Sequence, residues 1–149
     1  MACTCGEKQI FTSDKTPKAI GPYSPAVKAN GFVFVSGQLG IVPETGVIVE
    51  GGVEAETRQA LTNMKHLLEA AGSSLEQVTK ATVFLRDIAD FQKMNGVYGE
   101  FFTANPPARS AFQVGALPKA AAVEIEAIAV AGCCCGDDCC CDEDCCKKE

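Results

Sequence analysis

One arginine and two glutamates near the end of the chain are the groups best suited to bind a small acid and move a proton on it. Arg109 follows Asn105-Pro106-Pro107-Ala108 and opens an apolar run, Ser110-Ala111-Phe112-Gln113-Val114. A Leu117-Pro118 turn leads on to Val123-Glu124-Ile125-Glu126-Ala127-Ile128-Ala129-Val130, whose alternation puts Glu124 and Glu126 on one face of a strand. Arginine offers a planar fork of donors that matches a carboxylate, and it stays charged at any working pH. An arginine at a strand mouth, facing a carboxylate-bearing strand, is a site for a small acid. The same residues also read as a surface cation paired with Glu124 or Glu126, since most charges at strand ends are solvated.

The elements that must position these groups are legible upstream. Residues 8–12 make a short strand. Residues 16–25 hold Pro17, Pro22 and Pro25, a stiff loop that fixes Tyr23, as a site residue or as a half-buried packing aromatic. Residues 26–39 read as a hairpin about Asn30-Gly31, where both residues accept positive φ. Its second arm, Phe32-Val33-Phe34-Val35, is continuously apolar, as in a strand covered on both faces. It runs into Ser36-Gly37, which is either a close backbone approach with a hydroxyl beside it or a simple bulge.

Val53, Thr57, Ala60, Leu61, Met64, Leu67, Leu68 and Ala71 recur at helical steps and stop at Gly72, a suitable C′ residue. His66 lies off this stripe, so it is expected to be solvated and takes no catalytic role. Residues 77–85 form a β-rich run. Asp87 or Asp90 caps a second helix with the core stripe Phe91, Met94, Tyr98, Phe101 and Phe102. Asn95 on that helix reads as a surface amide unless the helix starts beside a site. The order predicts an α+β fold, two helices on one face of a mixed sheet of about six strands. The sheet's other face must be buried, and self-association is the economical answer.

A chain of 149 residues predicts one domain, here residues 8–131 between a short arm (1–7) and a tail (132–149). The net charge is −6; the tail's six acids and two lysines account for −4, leaving −2 for the rest. A near-neutral body without a basic cluster argues against nucleic acid as a partner. No apolar run is long enough to span a membrane, and the first residues lack the basic and apolar regions of a signal peptide. No cysteine lies between residues 6 and 132, so the body is not a disulfide scaffold and a cytoplasmic home is expected.

The tail is different in kind. Cys133, Cys134, Cys135, Cys139, Cys140, Cys141, Cys145 and Cys146 alternate with acidic clusters. Such thiols can bind soft metals as thiolates, or carry acyl chains that tether the chain to a membrane. The third reading is an appendage without a specific task. Cys3 and Cys5 add two thiols to either function.

The ordered set Ile20-Gly21-Pro22-Tyr23-Ser24, Val35-Ser36-Gly37-Gln38, Glu69-Ala70-Ala71-Gly72, Asn95 with Tyr98 and Phe101-Phe102, Pro107-Ala108-Arg109-Ser110, Leu117-Pro118-Lys119 and the run from Val123 to Ala129 resembles the RidA (YjgF) family of reactive-intermediate deaminases. The resemblance covers residues 8 to 131. It implies a chorismate-mutase-like homotrimer with sites between subunits. The implied activity is hydrolysis of 2-enamine/2-imino acids to 2-keto acids and ammonia, without cofactor or metal. It also implies that Arg109 clamps the substrate carboxylate and that Glu124 holds the attacking water or shuttles its proton. Tyr23 closes the site, and Ser36, Gly37 and Asn95 line it. Many members carry cysteine two positions after the arginine; Ala111 stands there, as in some members, and removes a thiol from any covalent role. The alternative is a trimeric small-carboxylate-binding or chaperone-like protein without significant turnover. RNA cleavage by some relatives fits poorly with the acidic balance.

Overall fold

The structure is a computed structural model and describes residues 7–131. Six strands form one mixed sheet: β1 (Gln9–Phe11), β2 (Ala26–Ala29), β3 (Phe32–Leu39), β4 (Val78–Leu85), β5 (Ala108–Gln113) and β6 (Val123–Val130). Their order across the sheet is β1-β2-β3-β6-β4-β5. All neighbours are antiparallel except β4 and β5, which run parallel and are joined by a helical crossover. Helix α1 (Gly52–Ala70) follows β3, and α2 (Phe91–Phe101) supplies that crossover.

Alternation decides which face the helices cover. Val33 and Val35 of β3, Val83 and Leu85 of β4, and Val123, Ile125, Ala127 and Ala129 of β6 share one face and are buried. They meet Leu61, Met64, Leu67 and Leu68 of α1, and Met94 and Tyr98 of α2. Burying each large aliphatic side chain contributes about 2 kcal/mol, so this layer holds the fold together. The Asn30-Gly31 turn takes the expected positive φ, 50° and 77°. α1 ends as expected, with Gly72 at φ 77° and the amide of Ser73 donating to the Leu68 carbonyl.

Three expectations need correction. Within one chain β3 is covered on one face only: Phe32 and Phe34 remain 44% and 45% exposed, with Val130 opposite Phe32 and exposed Phe112 farther along the same sheet face. The continuous apolar run therefore reports an open sheet face. Asp87 caps a single 3₁₀ turn by accepting from the Ala89 amide, and Asp90 makes no side-chain cap on α2. His66 is only partly exposed, with Nδ1 3.3 Å from the Lys15 carbonyl oxygen. Among the described residues no helix is long and apolar enough to cross a membrane.

Candidate active site

The residues singled out by sequence fall into two groups. The first surrounds Glu124. β3 and β6 pair in register up to Val35–Ala127, then slip between Val35 and Gln38, so Ser36-Gly37 is a bulge. The bulge is pinned by short hydrogen bonds. Ser36 Oγ donates to the Ser24 carbonyl at 2.7 Å, the Ser36 amide donates to the Pro25 carbonyl at 3.0 Å, and Gln38 Nε2 donates to the Ser36 carbonyl at 2.9 Å. Two of these bonds anchor the stiff loop that carries Tyr23, which is 48% exposed. Tyr23 and Gly37 line one small cleft of ≈ 40 Å³. Gly37 leaves room for the Glu124 carboxylate: an added Cβ would lie 1.9 Å from Glu124 Oε1, so the carboxylate would have to move. Burial pushes the Glu124 carboxyl above its ordinary pKa, and the like charge of Glu126 adds to that.

Buried polar residues of α1 that the sequence reading missed support this end. Glu56 accepts from the Ala122 amide at 2.7 Å, just before β6, while Asn63 Nδ2 donates to the Ile41 and Leu39 carbonyls at 2.9 and 3.3 Å. Gly40 lets the helix approach, since a Cβ there would stand 2.6 Å from Glu56 Cα. Arg86 donates to the Ala120 carbonyl at 2.7 Å, in a turn where Lys119 and Ala120 both take positive φ. Nothing in the helical period marks Glu56 or Asn63, because a polar residue on an amphipathic helix reads as surface. A larger cavity of ≈ 660 Å³, which shares Ile20, Tyr23 and Ile41 with the small cleft, takes neither Glu124 nor Arg109 into its walls.

The second group surrounds Arg109. In β5 it lies opposite Ala81 of β4, on the helix face beneath α2. Its guanidinium carbon sits 4.5 Å from the Tyr98 ring centroid and 5.7 Å from that of Phe91, and Nη1 is 4.0 Å from Met94 Sδ. Aromatic faces attract a guanidinium without neutralising it. Among the described residues no ion pair joins Arg109 to Glu124 or Glu126, so the surface-pair reading fails. Beneath the cation, Tyr98 has a buried hydroxyl without a hydrogen-bond partner among the described residues. Burial raises its pKa to about 12, with Arg109 pulling the other way. Asn95 stands one position beyond Met94 on the same helix.

One chain does not bring the two groups together. β4 lies between β5 and β6, and the registers place Arg109 level with Ala127 but Glu124 level with Phe112. Two strand spacings and three residues of offset separate their Cα atoms by roughly 14 Å. The two side chains also leave opposite faces of the sheet, Arg109 toward the helices and Glu124 toward the open side. Among the described residues no group of three or more His, Cys, Asp or Glu side chains can hold a metal ion.

The chain is thus a single α+β sheet covered by helices on one face, with a carboxylate-matching cation toward one edge and a glutamate of raised pKa near its middle. The family model described as Endoribonuclease L-PSP matches residues 13–131, and the chain belongs to that family, the RidA (YjgF) family of the sequence resemblance. A Bos taurus protein named 2-iminobutanoate/2-iminopropanoate deaminase is 52% identical over 125 residues, 84% of this chain and 91% of the relative. The crystal structure of the E. coli YjgF gene product matches with a TM-score of 0.79 at 42% identity, covering 82% of this chain and 98% of that one. That of E. coli TdcF with bound serine also gives 0.79 at 42% identity, over 83% and 99% of the two chains.

Proposed function

We propose that this chain is a hydrolytic deaminase that converts reactive 2-imino acids, such as 2-iminobutanoate and 2-iminopropanoate, to 2-keto acids and ammonia. One observation carries the reading: Arg109 is a positioned guanidinium seated on neutral rings, with its charge left for an incoming carboxylate. Residues 8–131 form the deaminase domain, and we place it in the cytoplasm. The Bos taurus relative's name supports the reaction, and the serine bound to TdcF supports a small amino-acid-like ligand.

The reaction needs two stations. Arg109 binds the substrate carboxylate with two parallel hydrogen bonds and so places the neighbouring C=N carbon. Glu124 accepts a proton from water as its oxygen bonds to that carbon. Glu124 passes that proton to the nitrogen, giving a neutral amino alcohol; it then carries the hydroxyl proton to the same nitrogen as the C–N bond breaks and C=O forms, so ammonia leaves and Glu124 returns to its starting carboxylate. The raised pKa of Glu124 suits this exchange. Tyr23 closes the cleft, while Ser36, Gly37 and Asn95 line it. Since one chain separates Arg109 from Glu124, we assign the site to the junction of two copies in a homotrimer. The exposed Phe32, Phe34 and Phe112 of the open face support burial against other copies.

The second reading, a small-carboxylate binder without significant turnover, is separated by one experiment. A dehydratase generates 2-iminobutanoate in the presence of semicarbazide, and the protein is asked to divert it to 2-ketobutanoate. Diversion by wild type and its loss in Arg109→Ala is expected. A trimeric wild type that binds 2-ketobutanoate and diverts nothing overturns the enzyme reading. The family's endoribonuclease description has less support here, because a body of net charge −2 gives phosphates little attraction.

A further inference from the structure

The cysteine tail and the Cys3/Cys5 arm lie outside the described residues, whereas the support beneath Glu124 lies within them. The strand that carries Glu124 begins abruptly. Lys119 and Ala120 both take positive φ, and the ladder between β6 and β4 starts only at Val123, opposite Leu85. Ala122 stands just before it and is 2% exposed. Its carbonyl accepts from the Arg86 amide at 2.9 Å. Its own amide donates to a side chain instead, Glu56 Oε2 at 2.7 Å.

The same helix also reaches the neighbouring strand. Leu39 of β3 lies directly across the ladder from Glu124. Its carbonyl accepts from Asn63 Nδ2, and Gln59 Nε2 donates to Asn63 Oδ1 at 2.9 Å, which holds that amide in its orientation. Glu56 and Asn63 stand about two turns apart on α1, so one helix face grips both strands that meet at Glu124. Both are buried. A carboxylate is costly to bury without a donor, and the Ala122 amide supplies one to Glu56. The tolerance at the other end is small, because Glu124 Oε1 fills the space beside Gly37.

We propose that Glu56 is a positioning residue for the deamination: by holding the Ala122 amide it fixes where β6 begins, and so where the Glu124 carboxylate meets the Gly37 bulge. The role rests on the reading of Glu124 as the proton carrier. On the open face Glu124 is accompanied by Glu126 and Lys80, and Tyr23 lines the cleft at Gly37. Glu56 lies on the opposite, helix-covered face, and the raised pKa of Glu124 has burial and Glu126 as its causes. Glu56 therefore acts through the backbone and not through its charge.

The test compares two variants that separate reach from charge. Glu56→Gln keeps an oxygen at the same reach and loses the charge. Glu56→Asp keeps the charge and falls one methylene short of the amide. The first readout is the titration of the Glu124 carboxyl by carbon NMR, assigned with Glu124→Gln. The second is deaminase kinetics per intact site, counted by 2-ketobutanoate binding. In Glu56→Asp the Glu124 pKa should fall toward the ordinary range, and kcat should drop by about tenfold at unchanged KM. Glu56→Gln should match wild type in both readouts. An unmoved Glu124 titration in Glu56→Asp overturns the proposal. So does a shift in Glu56→Gln that equals the one in Glu56→Asp. A wild type that diverts no imine overturns the deaminase reading alone, and the titration still decides whether Glu56 places Glu124.

Discussion

The two halves of the proposed site are built on contrary principles. Around Arg109 a charge is held by rings and a thioether that do not oppose it, so the cation remains available. Around Glu124 a charge is held where its ionised form is disfavoured, by burial first and by Glu126 second. The first half is held by side-chain packing against a helix; the second is held by a hydrogen-bonded backbone bulge, with a glycine where the Glu124 carboxylate lies. Binding wants a charge kept at full strength, whereas proton transfer wants one that is nearly ready to be lost.

The contrast can be broken most severely at Gly37. Gly37→Ala places a methyl where the Glu124 carboxylate lies, and kcat/KM should fall by about 100-fold or more with little change in 2-keto acid binding. Equal losses in both would mean that the bulge serves the binding half as well. Tyr98→Leu is the matching change on the other side. It removes the π face under Arg109 and should raise KM about tenfold, in line with a partly buried cation–π contact. Tyr98→Phe keeps the face and removes a buried, unpartnered hydroxyl, so KM should stay and thermal stability should hold or rise. If Phe behaves like Leu, the hydroxyl and not the ring positions the arginine.

Smaller effects sharpen the picture on the Glu124 side. Activity should fall as pH drops through the raised pKa of Glu124, at a higher pH than for an ordinary carboxylate. Glu126→Gln removes one cause of that elevation and should move the acid limb of the pH–rate profile to lower pH. For stability the sign reverses: a raised native pKa favours folding at low pH, and that contribution fades as pH rises through it. Last, Ala120→Gly relieves a non-glycine residue at φ 54° and should stabilise the protein by about 0.5–1 kcal/mol, read as a Tm increase of about 2–4 °C.

The elements were legible because both periods are clean: the 3.6-residue stripe of α1, the alternation of β6, and the Asn30-Gly31 turn all stand where the chain pattern put them. Residues 107–110, the apolar β3 run and an irregularity at Ser36-Gly37 were also visible, but not that Glu124 fills the space beside Gly37. Their arrangement was not. Alternation tells that Glu124 and Glu126 share a face, but not that Arg109 leaves by the other one. That follows from β5 pairing parallel with β4, a long-range choice with no local signature. Glu56 and Asn63 escaped for the complementary reason: their value lies in orphan backbone groups far along the chain, which only the assembled fold presents.

The opposite facing of Arg109 and Glu124 has a consequence for inheritance. In the proposed trimer each site borrows its cation from one copy and its carboxylate from the next. A copy lacking Arg109 spoils one site and still lends Glu124 to its neighbour, so damage scales with dose instead of spreading through the assembly. Two defective alleles, one at each residue, would then restore in mixed trimers the function that neither possesses alone.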